Sequence, residues 1–178
     1  MTPPAALVLA AVRQVDGAAL IAANQASAGL HEPWVAPPTN DASFSAYLAS
    51  CDLVRKVGLL ARRADSGAIV GVVNISEIVR GPLQGAFLGF YAMADQAGRG
   101  QMTEAVRLAV DHAFQLLSLH RLEANIQPAN ARSIALVRRL KFRREGFSPR
   151  YLHIAGGWRD HERWAITRED WEVLPASV

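Results

Sequence analysis

Residues 95–114 read DQAGRGQMTEAVRLAVDHAF, and the fold turns on this stretch. The residues before it, GAFLGFYAM (85–93), are apolar and aromatic, as in a strand. After the small residues Ala97, Gly98 and Gly100, apolar side chains recur at Met102, Ala105, Val106, Ala109, Val110, Ala113, Phe114 and Leu117. Spacings of three and four predict a helix from 101 to about 118. A strand therefore runs into a turn stripped of side chains, and the turn opens a helix. The first four N–H groups of a helix have no partner within it and carry partial positive charge. Gly98 and Gly100 let an anion approach those groups and permit positive φ, and Arg99 adds charge. A pyrophosphate suits such a turn. The pattern is not a Walker loop, since GxxxxGKS/T has no match. Nor is it a dinucleotide fingerprint, because Thr103 stands where the third glycine is required.

Outward from this turn, alternation and breakers set the other elements. LVLAAV (7–12) reads as a strand, residues 13–27 as a helix, and AGLHEPWVAPP (28–38) as turn-rich, its prolines excluding a helix interior. Residues 41–56 read as a helix capped by Thr39, Asn40 or Asp41. VGLLARRA (57–64), AIVGVVNISEIVR (68–80) and AFLGFYAM (86–93) form an antiparallel run joined by DSG and GPLQG turns. RLEANIQP (121–128) is a short strand. Residues 129–142 form a helix opened by Asn130, and 143–171 hold two strands around an AGG turn. The strand at 121–127 follows a crossover helix and so lies parallel to the strand at 86–93; the other strand connections read as hairpin-like. The fold class is α+β: a mixed, mostly antiparallel sheet flanked by helices, in one domain over 1–178.

Composition narrows the function. The 178 residues are 51% hydrophobic and 20% charged, an ordinary globular balance. The net charge of +3 comes almost entirely from arginine, with no basic run interleaved with aromatics, which argues against direct nucleic-acid binding. The single cysteine, Cys51, excludes an internal disulfide. The apolar start lacks a basic n-region, and no stretch is long and apolar enough to span a membrane. The expectation is a cytoplasmic protein, monomeric or homodimeric, with no membrane partner.

The residues together resemble the GNAT superfamily of acetyl-CoA-dependent N-acetyltransferases, and within it the RimJ/RimL-like branch. The superfamily's phosphate motif, Q/R-x-x-G-x-G/A, falls on AGRGQM (97–102), with Ala97 in place of Gln or Arg and Met102 in place of Gly or Ala. ALIAANQASAGLHEPWV (19–35) resembles the branch's early helix and turn. Residues 67–93 resemble its central meander, LHRLEANIQPANARSIALVRRLKFRREG (119–146) its second half, and YLHIAGGWRDHERWAIT (151–167) its ending.

The resemblance implies two parallel strands that splay apart around acetyl-CoA, with no metal. The pantetheine arm lies against main-chain groups of Phe90, Tyr91 and Met93. The pyrophosphate lies on Gly98, Arg99, Gly100, Gln101 and Met102, with Asn130 and Ser133 facing the arm. The acceptor it implies is a protein or peptide N-terminus, ribosomal in this branch. A small amine, such as an antibiotic or polyamine, and a non-catalytic acyl-CoA-binding module are the rival readings.

The residue types fit acyl transfer. An α-amine has a pKa of about 7.7–8.0, so a fraction is neutral without a strong base. Placement, oxyanion stabilisation and a proton for the leaving thiolate are the larger needs. Ser133 is the candidate donor, beside a second reading as plain helix serine. Asn125 either holds water or substrate or is a polar core residue, and Glu77 is a candidate base on the strand beside the cofactor strand. Asn74 is a polar residue in an apolar strand, and polar groups there need partners. Trp34, Asn74 and Tyr151 are candidate acceptor contacts. His153, Asp160 and His161 have metal-binding side chains but no spacing for a tetrahedral set.

Overall fold

The computed structural model describes residues 6–173. Strand β1 (Leu7–Ala11) leads through a 3-10 turn into helices α1 (Gly17–Ala26), α2 (Ala28–His31) and α3 (Asp41–Ser50). Strands β2 (Val57–Arg63), β3 (Ile69–Val79) and β4 (Gly85–Ala92) follow, then α4 (Gln101–Asp111), β5 (Arg121–Ile126) and α5 (Ala131–Arg139). A hairpin of β6 (Arg143–Ile154) and β7 (Gly157–Thr167) and the short helix α6 (Arg168–Glu172) complete it. One seven-stranded sheet has the order β1-β2-β3-β4-β5-β7-β6. Among the described residues only β4 and β5 pair in parallel; every other neighbouring pair is antiparallel.

The two faces of the sheet carry different layers. Alternating residues of β3 to β7, among them Val73, Ile75, Leu88, Leu122, Ala124 and Ile166, pack with Ala105, Val106, Ala109 and Val110 of α4, with Ala113 just beyond it, and with Leu136 and Val137 of α5. The alanine stripe on α4 is fully buried, which lets the helix sit close on the sheet. On the opposite face Leu20 and Phe44 of α1 and α3 pack with Leu60, Val72 and Tyr91. Burying side chains of this size is worth about 1.5–3 kcal/mol each before entropy is counted.

Several elements depart from the sequence reading. The helix expected over 41–56 ends at Ser50, because Asp52 Oδ1 accepts from the N–H groups of Val54, Arg55 and Lys56 and fixes a turn instead. Asn40 is its cap, accepting from Ser43 N–H at 2.8 Å. The turn-rich segment holds the short α2. The helix expected to 118 is α-helical only to Asp111 and closes in a π turn over His112–Leu116. The strand connections are not all hairpin-like. β1 reaches β2 through three helices, and α5 delivers the chain to the far edge as β6, so β7 folds back between β6 and β5. The AGG turn is a two-residue hairpin turn with positive φ at Ala155 and Gly156. Among the described residues no helix is long and apolar enough to cross a membrane.

Candidate active site

The site begins where β4 and β5 part. They pair only at Gly85–Arg121, Ala86–Leu122 and Phe87–Glu123, although both strands continue. Beyond Phe87 the edge of β4 that faces β5 has no strand partner. Met93 N–H donates to Val70 O at 2.9 Å, so Met93 and, by alternation, Tyr91 and Gly89 turn their main chains toward β3. Leu88, Phe90 and Ala92 turn theirs into the gap. Of the three residues expected to hold the arm, Phe90 therefore offers free main-chain groups. Tyr91 and Met93 are engaged with β3, and the Met93 carbonyl also accepts from Gln96 N–H at 3.1 Å. The Ala92 carbonyl lies 2.9 Å from His31 Nε2, which ties α2 to the end of β4.

At the mouth of the gap the turn of residues 97–100 delivers the chain into α4. Gly98 and Gly100 have φ of 78° and 77°, the left-handed region. Gly100 is the N-cap and offers no side-chain cap. Nothing lies within 4 Å of where a Cβ would stand at either glycine. The result is a bare cradle of N–H groups at a helix N-terminus, with Arg99 exposed beside it. Gln101 is buried with its Oε1 unpartnered, and Met102 packs into the core. The cradle fits an anionic phosphate group. On the same side Arg139 of α5 donates to Thr103 Oγ1 at 3.0 Å and ties the two helices together.

Asn130 caps α5, its Oδ1 accepting from Ser133 N–H at 3.1 Å. Ser133 lies one turn before the buried Leu136 and Val137, on the helix's inward face, and its hydroxyl is not part of the cap.

The opposite face of the gap is polar. Tyr47 of α3 lies over Gly58 and donates its hydroxyl to Asn74 Oδ1 at 2.8 Å. Burial, with Cys51 nearby, pushes the Tyr47 hydroxyl well above its ordinary range, so it stays protonated and a donor. Asn74 pairs with Gly89, above which the space is open. Asn125 is half-buried on β5, and its Oδ1 has no partner. Tyr151 is half-buried on β6 and meets His161 edge-on at 6.1 Å between ring centroids. Trp34 is half-buried in the turn after α2.

Glu77 is not brought to this gap. It is exposed, has φ of 50°, and sits in a bulge of β3 opposite the closed Gly85–Phe87 end of β4. Glu123, a carboxylate on the polar face, is paired with Arg121 at 2.8 Å. His153, Asp160 and His161 have separate partners: His153 meets Trp158 edge-on, Asp160 accepts from Arg150 N–H, and His161 Nδ1 lies 2.9 Å from the Arg159 carbonyl. Tyr47 and Gly89 were missed by the sequence reading. Each earns its place through cross-strand or helix-to-strand contacts that leave no local motif.

Residues 6–143 match the acetyltransferase (GNAT) domain family. The chain is similar to the probable N-acetyltransferase YjcK of Bacillus subtilis, 41% identical over 107 residues, 60% of this chain and 59% of the relative. It is also similar to ribosomal protein uS5-alanine N-acetyltransferase of Escherichia coli, 40% identical over 107 residues, 60% of this chain and 55% of that protein. The matches thus span little more than half the length of these curated relatives. Among solved structures the chain is similar to Mycobacterium smegmatis RimJ in complex with CoA-disulfide, with a TM-score of 0.85 and 31% identity over 97% of this chain and 86% of that one.

Proposed function

The chain belongs to the GNAT acetyltransferase family, in its RimJ/RimL-like branch, and from that premise we propose that it transfers the acetyl group of acetyl-CoA to the N-terminal α-amine of a protein. The observation that carries the reading is the unpaired edge of β4 beside a bare helix N-terminus. Together they offer main-chain groups to an amide-bearing arm and N–H groups to its phosphates. Acetyl-CoA supplies the thioester. Phe90 orients the arm through its main chain. The N–H groups of Gly98 to Met102, with Arg99, hold the pyrophosphate.

Ser133, kept off the helix cap, donates a proton to the departing sulfur. Asn125 takes a hydrogen bond from the acceptor amine, and Asn74, Tyr151 and Trp34 line the acceptor's path. With Glu123 tied to Arg121 and Glu77 at the closed end, the amine enters in its neutral form and needs no strong base. The Escherichia coli relative is named for acetylating an alanine of ribosomal protein uS5, which supports an α-amine acceptor.

A panel of short peptides beginning with Ala, Ser, Trp or Pro, with free lysine and spermidine, tests this reading. kcat/KM is compared at equal concentrations, and mass spectrometry locates the acetyl group. Peptides beginning with Ala or Ser are expected to lead. A small amine in front would transfer the reading to a small-molecule acetyltransferase. Tight acetyl-CoA binding with no turnover of any acceptor would leave a binding module.

A further inference from the structure

Neighbouring strands contribute one row of residues to the face that carries α1–α3. Asn74 pairs with Gly89 across β3 and β4, and Asn125 pairs with Arg163 across β5 and β7. Phe87 pairs with Glu123, so two residues further on Gly89 and Asn125 stand at the same level on the same face, across the open gap. The row ends at Gly146 of β6, which pairs with Arg163. A Cβ at Gly146 would meet Arg163 Nη2 at 2.5 Å, so the guanidinium lies against that bare strand.

Two atoms of this row are buried and without partners: Asn125 Oδ1, an acceptor, and Arg163 Nε, a donor. Side chains directly opposite on antiparallel strands stand about 4.5–5.5 Å apart at Cβ. The two atoms nevertheless do not bond each other, and a buried donor or acceptor left unpaired loses its hydration without replacement. Both residues are only half-buried, and the neighbouring space over Gly89 is open. An α-aminoacyl unit, N–Cα–C=O, offers a donor one bond and an acceptor two bonds from a shared carbon, the complement of this pair.

We propose that Asn125 and Arg163 together read the first aminoacyl unit of the acceptor. Asn125 Oδ1 accepts from the α-amine, Arg163 Nε–H donates to the carbonyl of the same residue, and the first side chain occupies the space over Gly89. The assignment rests on the α-amine reading above and adds the residue that separates an α-amine from any other primary amine. An amine without the adjacent carbonyl satisfies Asn125 and leaves Arg163 unpaired. A site built to hydrogen-bond a group discriminates strongly against a substrate that lacks it.

The test compares a peptide beginning with Ala against isopropylamine, with the 178-residue chain and saturating acetyl-CoA. In Arg163→Met the ratio of kcat/KM for the peptide to that for the amine is expected to fall by about tenfold or more, chiefly through KM for the peptide. Arg163→Lys keeps the aliphatic stem and the charge but lacks the Nε–H of the fork, and its ratio falls in the same direction. Calorimetry of acetyl-CoA binding confirms that each variant is folded, and Arg163→Lys decides if Arg163→Met is not. A folded variant pair with the wild-type ratio overturns this assignment alone. A wild-type protein that acetylates isopropylamine and ignores the peptide overturns the α-amine reading and this assignment with it.

Discussion

Met102, in the first turn of α4, rests on Gly71 of β3: a Cβ at Gly71 would stand 2.7 Å from Met102 Sδ. The family's phosphate motif has glycine or alanine where this chain has Met102. The bulk is accommodated at the strand below, where a glycine takes the place of a side chain. Gly71→Ala would force the thioether, the adjacent Tyr91 carbonyl or the helix itself to move. Overpacking of this kind costs about 1–3 kcal/mol. Urea denaturation should show that loss, together with weaker acetyl-CoA binding as α4 lifts. A Gly71→Ala variant with wild-type stability would separate the helix seat from this contact.

Gly100→Glu places a negative side chain at the N-cap, in a backbone conformation with φ of 77°. Acetyl-CoA affinity should fall by about tenfold or more, about 1.4 kcal/mol, by charge repulsion and by bulk in the cradle. Gly100→Ala carries the backbone strain without the charge and should lose less. Equal losses in the two variants, measured by calorimetry, would assign the effect to strain alone.

Ser133→Ala isolates a hydroxyl. The cap of α5 uses the Ser133 N–H and the Asn130 side chain, so it survives the substitution. kcat should drop, by up to the roughly 10²–10⁴-fold typical of general acid catalysis, with KM for acetyl-CoA little changed. Asn130→Ala instead removes the cap and should cost about 1 kcal/mol of stability. A Ser133→Ala enzyme with full kcat would return Ser133 to the role of helix serine.

The strand–turn–helix around Gly98 and Gly100 was legible because every determinant is local: an apolar strand, two glycines, and a helical stripe within one stretch. Asn130 was legible as a cap for the same reason. The splay of β4 from β5 followed only from the family resemblance, since loss of pairing after Phe87 has no sequence signal. The Asn125–Arg163 pairing was out of reach. It depends on β7 inserting between β5 and β6, and the sequence shows only that two strands flank a turn. Glu77 was a candidate through the family resemblance alone, and no sequence signal marks the bulge of β3 in which it sits. That bulge and the positive φ of Glu77 carry the side chain into solvent at the closed end.

Burial holds the pKa of His161 below its ordinary value, outweighing the pull of the Arg159 carbonyl and Asp160, and burial does the same at His112. A histidine kept neutral by folding binds its proton more readily in the unfolded chain. The stability it supports is present above the unfolded value, about 6.5, and is lost as pH falls below it. Urea midpoints should therefore decline between about pH 7 and pH 5.5. His161→Asn should flatten part of that decline, with His112 retaining the remainder. An unchanged pH profile in the variant would show that His161 titrates alike in both states.

The cofactor slot is the centre of the account, and amide exchange followed by NMR reads it residue by residue. Phe90 N–H faces the gap between β4 and β5, whereas Met93 N–H is bonded to Val70. On addition of acetyl-CoA, exchange at Phe90 should slow by about tenfold or more while Met93, already protected, changes little. Protection at the Gly98–Met102 amides should appear with it. Saturating acetyl-CoA that leaves the Phe90 and Gly98–Met102 amides unprotected would contradict a cofactor arm in the splayed gap.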